Sequence, residues 1–309
     1  MSVVAYPAGQ SSFGVPVIGG GAVVPTTTGK YFFVSSVTGA TTNNALDKDH
    51  PVLTLAAAIT LTTAGAGDVI ILMPGHVETV STTITPLAGS AIVGIGFGRN
   101  RPVFTASTGA INTFTLSANN VTLQNFVIVG AASGCTALIA ISGTYPRFID
   151  MELQGGATPT TLVSCSAAGD GALWQGCRIR AAAGTAIIWT ATATAICPDW
   201  LMIDNFIHGS SVRDIDSSVI SCSKKSFEGL IVNRMCIVGV VGGDNPVGIF
   251  DFNSSTGTID GLISNVHAVF DAAVTLTEAS DAGGMVFSEF FVTDIVSAKG
   301  TRWPATTAT

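Results

Sequence analysis

The chain has 309 residues, a net charge of −7 and a pI near 4.9, and only 11% of its residues are charged, against about 25% in an average soluble protein. That balance speaks against a nucleic-acid or anionic-membrane partner, either of which calls for a basic surface. The length exceeds the usual single globular core and favours an architecture that extends one core lengthwise.

Residues 1–29 carry no charged side chain. Pro7, Pro16, Pro25 and the Gly19-Gly20-Gly21 run forbid a long helix there. No basic stretch precedes an apolar run, so no secretion signal is expected. Disordered tails are usually charged and poor in apolar residues. This stretch instead reads as an extended arm that orders against a neighbour, with Val3, Val4, Tyr6, Phe13, Val15, Val17 and Ile18 as the contact residues. Lys30 begins the folded part. Tyr31 to Val34 reads as a strand and Gly39 to Asp49 as a polar loop. His50-Pro51 opens a helix with Asp49 as N-cap and Leu53, Ala56, Ala57 and Ile59 on its apolar face. Such a helix would cap the open end of a solenoid. Asp68 to Met73 reads as a strand buried on both faces, and Pro74-Gly75-His76 turns the chain into Val80 to Thr85.

From Val121 onward one pattern returns: apolar, any residue, a turn-tolerant residue, apolar, any residue, apolar. It starts at Leu123, Phe148, Trp174, Ile203, Val232, Ile263 and Phe287, at spacings of 24 to 31 residues. Such a period, with β-branched residues and no helical periodicity, predicts a solenoid of short strands. The third position holds Asn125, Asp150, Gly176, Asn205, Arg234, Asn265 and Glu289, mostly residues that tolerate a positive φ and so permit a sharp corner. Equivalent strands then stack in register about 4.8 Å apart as a parallel β-helix. A β-sandwich would need hairpin turns, and Asn-Gly or Asp-Gly pairs are nearly confined to Asp170-Gly171 and Asp260-Gly261.

Pro51, Thr54, Ala57, Gly67-Asp68, Pro74-Gly75-His76 and Glu78, followed by Ile92 to Gly96 and Arg99 to Pro102, give the opening a recognisable form. It resembles the start of right-handed parallel β-helix proteins of tailed bacteriophages and prophages, a pectin-lyase-like group. The coil motif carries the resemblance over residues 30 to 293. The resemblance implies an all-β, right-handed parallel β-helix solenoid with a short N-terminal capping helix, and a homotrimer. Phages use this fold both to decorate capsids and to build tailspikes.

The chemistry of the chain bears on that choice. Glycoside hydrolysis needs two carboxylates about 5 to 9.5 Å apart. Asp150 and Glu152 are two apart, as are Asp214 and Asp216, but Gly176 and Arg178 occupy the equivalent places one coil on. Glu152 is expected to be exposed and ion-paired with Arg178. A polygalacturonase-like set is incomplete and out of order, with only Asp204-Asn205, Gly75-His76 and Arg178-Ile179-Arg180 present. His50, His76, His208 and His267 are scattered, without metal-ligand spacing. His76 is expected to hydrogen-bond a loop and His267 to project into solvent. The six cysteines, 135, 165, 177, 197, 222 and 236, fall in or beside apolar strands and read as buried, reduced thiols.

The expected organisation is an arm over 1–29, a capped β-helix over 30–296 and a C-terminal tail over 297–309 that caps the last coil or meets a partner. No catalytic residue, cofactor, metal, nucleic acid or membrane enters this reading. The expected role is a capsid decoration or cement protein. It would be assembled in the host bacterial cytoplasm, sit on the virion surface and bridge major capsid proteins. The competing role is a tailspike or fibre module that binds or cleaves host polysaccharide.

Overall fold

The computed structural model describes residues 10–12, 15–17, 24–25, 27–107, 111–130, 135–156, 161–165, 169–181, 185–191, 198–208, 215–222, 229–239, 250–252, 260–270, 284–293 and 301–303. They form a parallel β-helix with three ladders. In the first, Tyr31–Val34, Val69–Leu72, Ala91–Gly94, Thr122–Gln124, Arg147–Ile149, Leu173–Gln175 and Leu201–Ile203 stack in parallel. The first halves of Leu230–Gly239, Asp260–Phe270 and Gly284–Thr293 continue it. The second ladder runs Val77–Val80, Val103–Ala106, Val127–Val129, Glu152–Gln154, Arg178–Arg180 and Phe206–His208, then the second halves of the same three long strands. The third holds Asn112–Leu116, Ala137–Ile141, Thr161–Cys165, Thr185–Ala191, Ile215–Cys222 and Phe250–Phe252. Parallel pairing throughout the coils excludes the hairpin-linked sandwich.

The periodicity of two along each strand explains the core. In the first ladder Leu123, Phe148, Trp174, Met202, Val232 and Ile263 lie in one register row, all fully buried. Across the corner Phe104, Ile128, Leu153, Ile179, Ile207 and Ile237 do the same for the second ladder. Large rings interlock where the rows meet. Phe148 stacks on Trp174 at 3.8 Å between ring centroids, and Trp174 meets Trp189 edge-on at 5.6 Å. Upstream, Phe104, Phe114 and Phe126 pack at 5.4 to 5.7 Å.

The corner between the first and second ladders is a column of left-handed residues: Asn125, Asp150, Gly176, Asp204, Arg234, Asn265 and Glu289, with φ between 51° and 66°. Asn205, expected at this corner, is not part of it. In its coil neither register fits the apolar spacing completely: Ile203–His208 ends on a histidine and Met202–Ile207 puts Asn205 at the fourth, apolar position, and the fold takes the second. A one-residue slip reverses the side-chain face. Asp204 therefore turns the corner, and Asn205 enters the core at 1% exposure. It tolerates burial because its amide is satisfied: Oδ1 accepts from Cys177 N–H at 3.0 Å and Nδ2 donates to Trp174 C=O at 3.1 Å. A second left-handed column closes the other end of the first ladder, at Gly65, Gly89, Asn120, Tyr145, Gly171, Asp199 and Gly229.

The capping helix is Leu55–Leu61, later than expected, and its N-cap is Thr54, whose Oγ1 accepts from Ala57 N–H. Asp49 and Pro51 do not start it, because Val52 is drawn into extended backbone pairing with Phe33 and Ser35. The helix turns Leu55 and Ala58 inward, whereas Ala56 is exposed. Both buried residues join the core of Phe32, Val34, Ile70, Leu72 and Ile84, so the helix does cover the open end of the coil stack. The strand at 69–72 is buried on both faces, with Val69 and Ile71 in an outer cluster with Phe33, Ala91, Val93 and Ile95.

Within residues 1–29, Gln10–Ser12 and Val15–Val17 pair antiparallel. Val3, Val4, Tyr6, Phe13 and Ile18 lie outside the described residues. Within the C-terminal tail, Thr301–Trp303 adds antiparallel to Phe290–Val292, covering part of the last coil's edge.

Candidate functional site

The residues that carry the resemblance at the chain's opening are structural. Asp68, 3% exposed, accepts from Lys30 N–H through Oδ1 and from Thr63 N–H through Oδ2, each at 2.8 Å. His76 is fully buried. Its Nδ1 accepts from Ser36 N–H at 3.0 Å, which places the ring hydrogen on Nε2, and Nε2–H donates to Glu78 Oε2 at 3.2 Å. The same oxygen accepts from Leu55 N–H at 2.8 Å and so satisfies an orphan donor at the helix start. His76 thus ties a loop to the capping helix and leaves no ring nitrogen for chemistry.

A charged concavity lies across the second ladder. Two adjoining hollows of about 880 and 910 Å³ share Gly176, Arg178 and Arg180. The first also holds Phe97, Arg99, Arg101, Asp150, Glu152 and Gln154, and the second holds Asp204, Phe206 and His208. The pattern placed Glu152 on the outside, and its row is outward: Val127, Glu152, Arg178 and Phe206 stand in register. Yet Glu152 is 9% exposed, because arginines cover it. Arg101 Nη1 donates to Oε2 at 3.2 Å and Gln154 Nε2 to Oε1 at 2.8 Å, while Arg180 Nε is ion-paired with Oε1 at 3.2 Å. Arg101 also donates to the Asp150 carbonyl. The expected pair with Arg178 does not form. Arg178 is the register neighbour, but Arg101 reaches the carboxylate from the turn preceding Val103 and Arg180 from two places along Arg178's own strand. Burial pushes the Arg101 guanidinium below its ordinary value, with Glu152 and Asp150 opposing that shift.

This arrangement does not resemble a glycosidase pair. A general acid needs a carboxyl kept protonated by apolar surroundings, whereas both Glu152 oxygens are held by cationic or amide donors. Of the two other carboxylates lining the hollows, Asp150 and Asp204, Asp204 is gripped by Arg234 through contacts of 2.6 and 2.7 Å. Asp214 lies outside the described residues. Among the described residues no three His, Cys, Asp or Glu side chains are grouped to hold a metal ion, and no helix is long and apolar enough to cross a membrane. His267 is exposed and stacks on Phe291, and His208 stacks on Phe206.

Cys135, Cys165 and Cys177 are buried, but Cys236 is half-buried, because its place in the outward row lies between Phe206 and His267. Cys197 is outside the described residues. Burial pushes the Cys177 thiol up to about 12 from an ordinary 9.0. A raised thiol value favours the fold below pH 9, and that contribution is lost between about pH 9 and 12 as the unfolded thiol ionises first. Iodoacetamide at pH 8 is therefore expected to label Cys236 in the native protein and Cys177 only after denaturant is added. Peptide mapping showing Cys177 labelled in the native state would contradict this placement.

No family model and no curated protein matches this chain. Solved structures do. The fold is similar to a rhamnogalacturonan lyase at a TM-score of 0.53 and 13% identity, over 84% of this chain and 73% of that one. A Geobacillus virus E2 protein, ORF18, matches at 0.42 and 15%, over 77% and 56%. The A-module of an Azotobacter vinelandii mannuronan C-5 epimerase, AlgE6, matches at 0.26 and 12%, over 78% and 90%. At these identities the first likeness defines a class, the all-β parallel β-solenoid, and no particular member of it.

Proposed function

We propose that the chain is a structural protein of a tailed-phage virion, a non-catalytic β-helix that decorates the capsid and bridges its major capsid proteins. The observation that carries the reading is where its chemistry-bearing side chains are spent. Asp68, His76 and Glu78 fasten the capping helix and the first coil, and Glu152 and Asp204 are held by arginines. The resemblance of the opening supplies the phage setting. A parallel stack without hairpins in its coils is a stiff rod suited to spanning subunits. Trimeric association and the uncharged arm belong to the same proposal. The second reading, a tail fibre or tailspike module for host polysaccharide, draws on the arginine-lined groove.

Co-sedimentation with expanded, undecorated capsids tests the proposal. Stoichiometric binding by the full chain, lost when the chain starts at Lys30, is the expected result. Failure of the full chain to bind capsids, together with retention on host cells, would establish the second reading instead.

A further inference from the structure

We infer that the groove across the second ladder docks an extended acidic segment of a protein partner, giving the virion contact proposed above an anchor separate from residues 1–29. The inference rests on the reading of this chain as a protein-contact module.

The groove sets four arginines against the three carboxylates of Asp150, Glu152 and Asp204, a net charge of +1 on a molecule of the opposite sign. Four of the chain's eight arginines, Arg99, Arg101, Arg178 and Arg180, line one hollow in a protein of net charge −7. They play different parts. Glu152 holds Arg101 as part of the floor and takes only Nε of Arg180, which leaves the terminal nitrogens of Arg180 for a ligand. Arg178 is exposed and makes no ion pair among the described residues. Arg178 and Arg180 stand two apart on one strand and so face the same way, about 6.6 Å from one another. Carboxylates at i and i+2 of an extended peptide repeat that spacing, and guanidinium groups bind carboxylates in bidentate fashion.

The ends of the groove are aromatic. Phe97 is 64% exposed at one end and Phe206 39% exposed at the other. From the coil of Val103 to that of Phe206 is four register steps, about 19 Å along the stack. Arginine flanked by exposed aromatics is the composition of protein-interface hot spots. An acidic glycan would also meet the arginines, but its many hydroxyls need acceptors, and with Glu152 and Asp204 paired to arginines Asp150 is the one groove carboxylate left among the described residues. A phosphate backbone is disfavoured by the overall charge.

The test uses the full-length protein and a fluorescent seven-residue peptide, Leu-Thr-Asp-Thr-Asp-Thr-Leu, beside its Asn-for-Asp twin. The acidic peptide is expected to bind at least about tenfold more tightly than the twin, more weakly as salt is added. Arg178→Ala, which breaks no side-chain bond among the described residues, is expected to weaken binding about tenfold. Arg147→Ala, exposed on the first ladder, is expected to leave it unchanged. Equal binding of the twin, or no effect of Arg178→Ala, would overturn the assignment. Tighter binding of oligogalacturonate would make the groove a glycan site, and tighter binding of oligo-dT a nucleic-acid site. Because no capsid is present, failure here is separable from failure of the capsid role: a chain that binds capsids but not the peptide loses only this groove.

Discussion

Trp174→Ala is expected to destabilise the β-helix by about 4 kcal/mol, among the largest losses available from one side chain in this chain. Trp174 is fully buried, stacks on Phe148 at 3.8 Å and meets Trp189 edge-on, so truncation opens a void that neighbouring coils cannot close without shifting their register. Its Nε1 has no hydrogen-bond partner among the described residues, and Trp174→Phe is therefore expected to cost only about 1 to 2 kcal/mol. Denaturant unfolding of the pair separates the two effects through the shift of the transition midpoint. Solenoids need not unfold in one step, so proteolysis is a second readout: cleavage in Trp174→Ala should begin in the coils from Phe148 to Ile207. A midpoint unchanged by the alanine would mean that the ring stack does not carry the core.

The second large effect falls on the surface groove. Glu152→Ala leaves the guanidinium of Arg101, 15% exposed, without its carboxylate and is expected to cost about 3 kcal/mol. Arg180 is roughly half exposed and adds little, because water replaces its lost partner. Adding Arg101→Leu to Glu152→Ala should recover much of the loss, since the uncompensated charge goes with the arginine. A double-mutant cycle reads this directly. Additive losses would show that Arg101 and Glu152 are not coupled.

Much of the fold was legible because a solenoid writes its geometry repeatedly. The row Leu123, Phe148, Trp174 and the corner column Asn125, Asp150, Gly176 follow from spacing alone, since each coil repeats one burial pattern and one left-handed bend. In the coil of Asn205 each of two registers breaks the apolar spacing at one place, so the pattern does not choose between them. Asn205 entered the core because its amide found Cys177 and Trp174, partners from the preceding coil that no local pattern names. The second column of left-handed residues was hidden for a related reason. Tyr145 is not an obvious turn former, and only its place in a column with Asn120, Gly171, Asp199 and Gly229 reveals the bend. The helix start was missed because pairing of Val52 with Phe33 and Ser35 overrode the Pro51 signal.

At the groove, alternation placed Glu152 outward and the stack placed Arg178 beside it, as the register confirms. Sequence could not reveal that Arg101 reaches across the coils, since long flexible side chains choose partners by reach and not by register. The burial of Glu152 follows from that reach, and with it the groove's character as an arginine surface over a sequestered carboxylate.

The central claim, that these side chains serve architecture and contact instead of catalysis, is tested most directly by incubating the purified protein with acidic and neutral polysaccharides and measuring new reducing ends and unsaturated products. The account predicts neither, for the native protein and for Glu152→Gln alike. Product release by the native protein that Glu152→Gln or Arg178→Ala abolishes would contradict it and make the groove an active site.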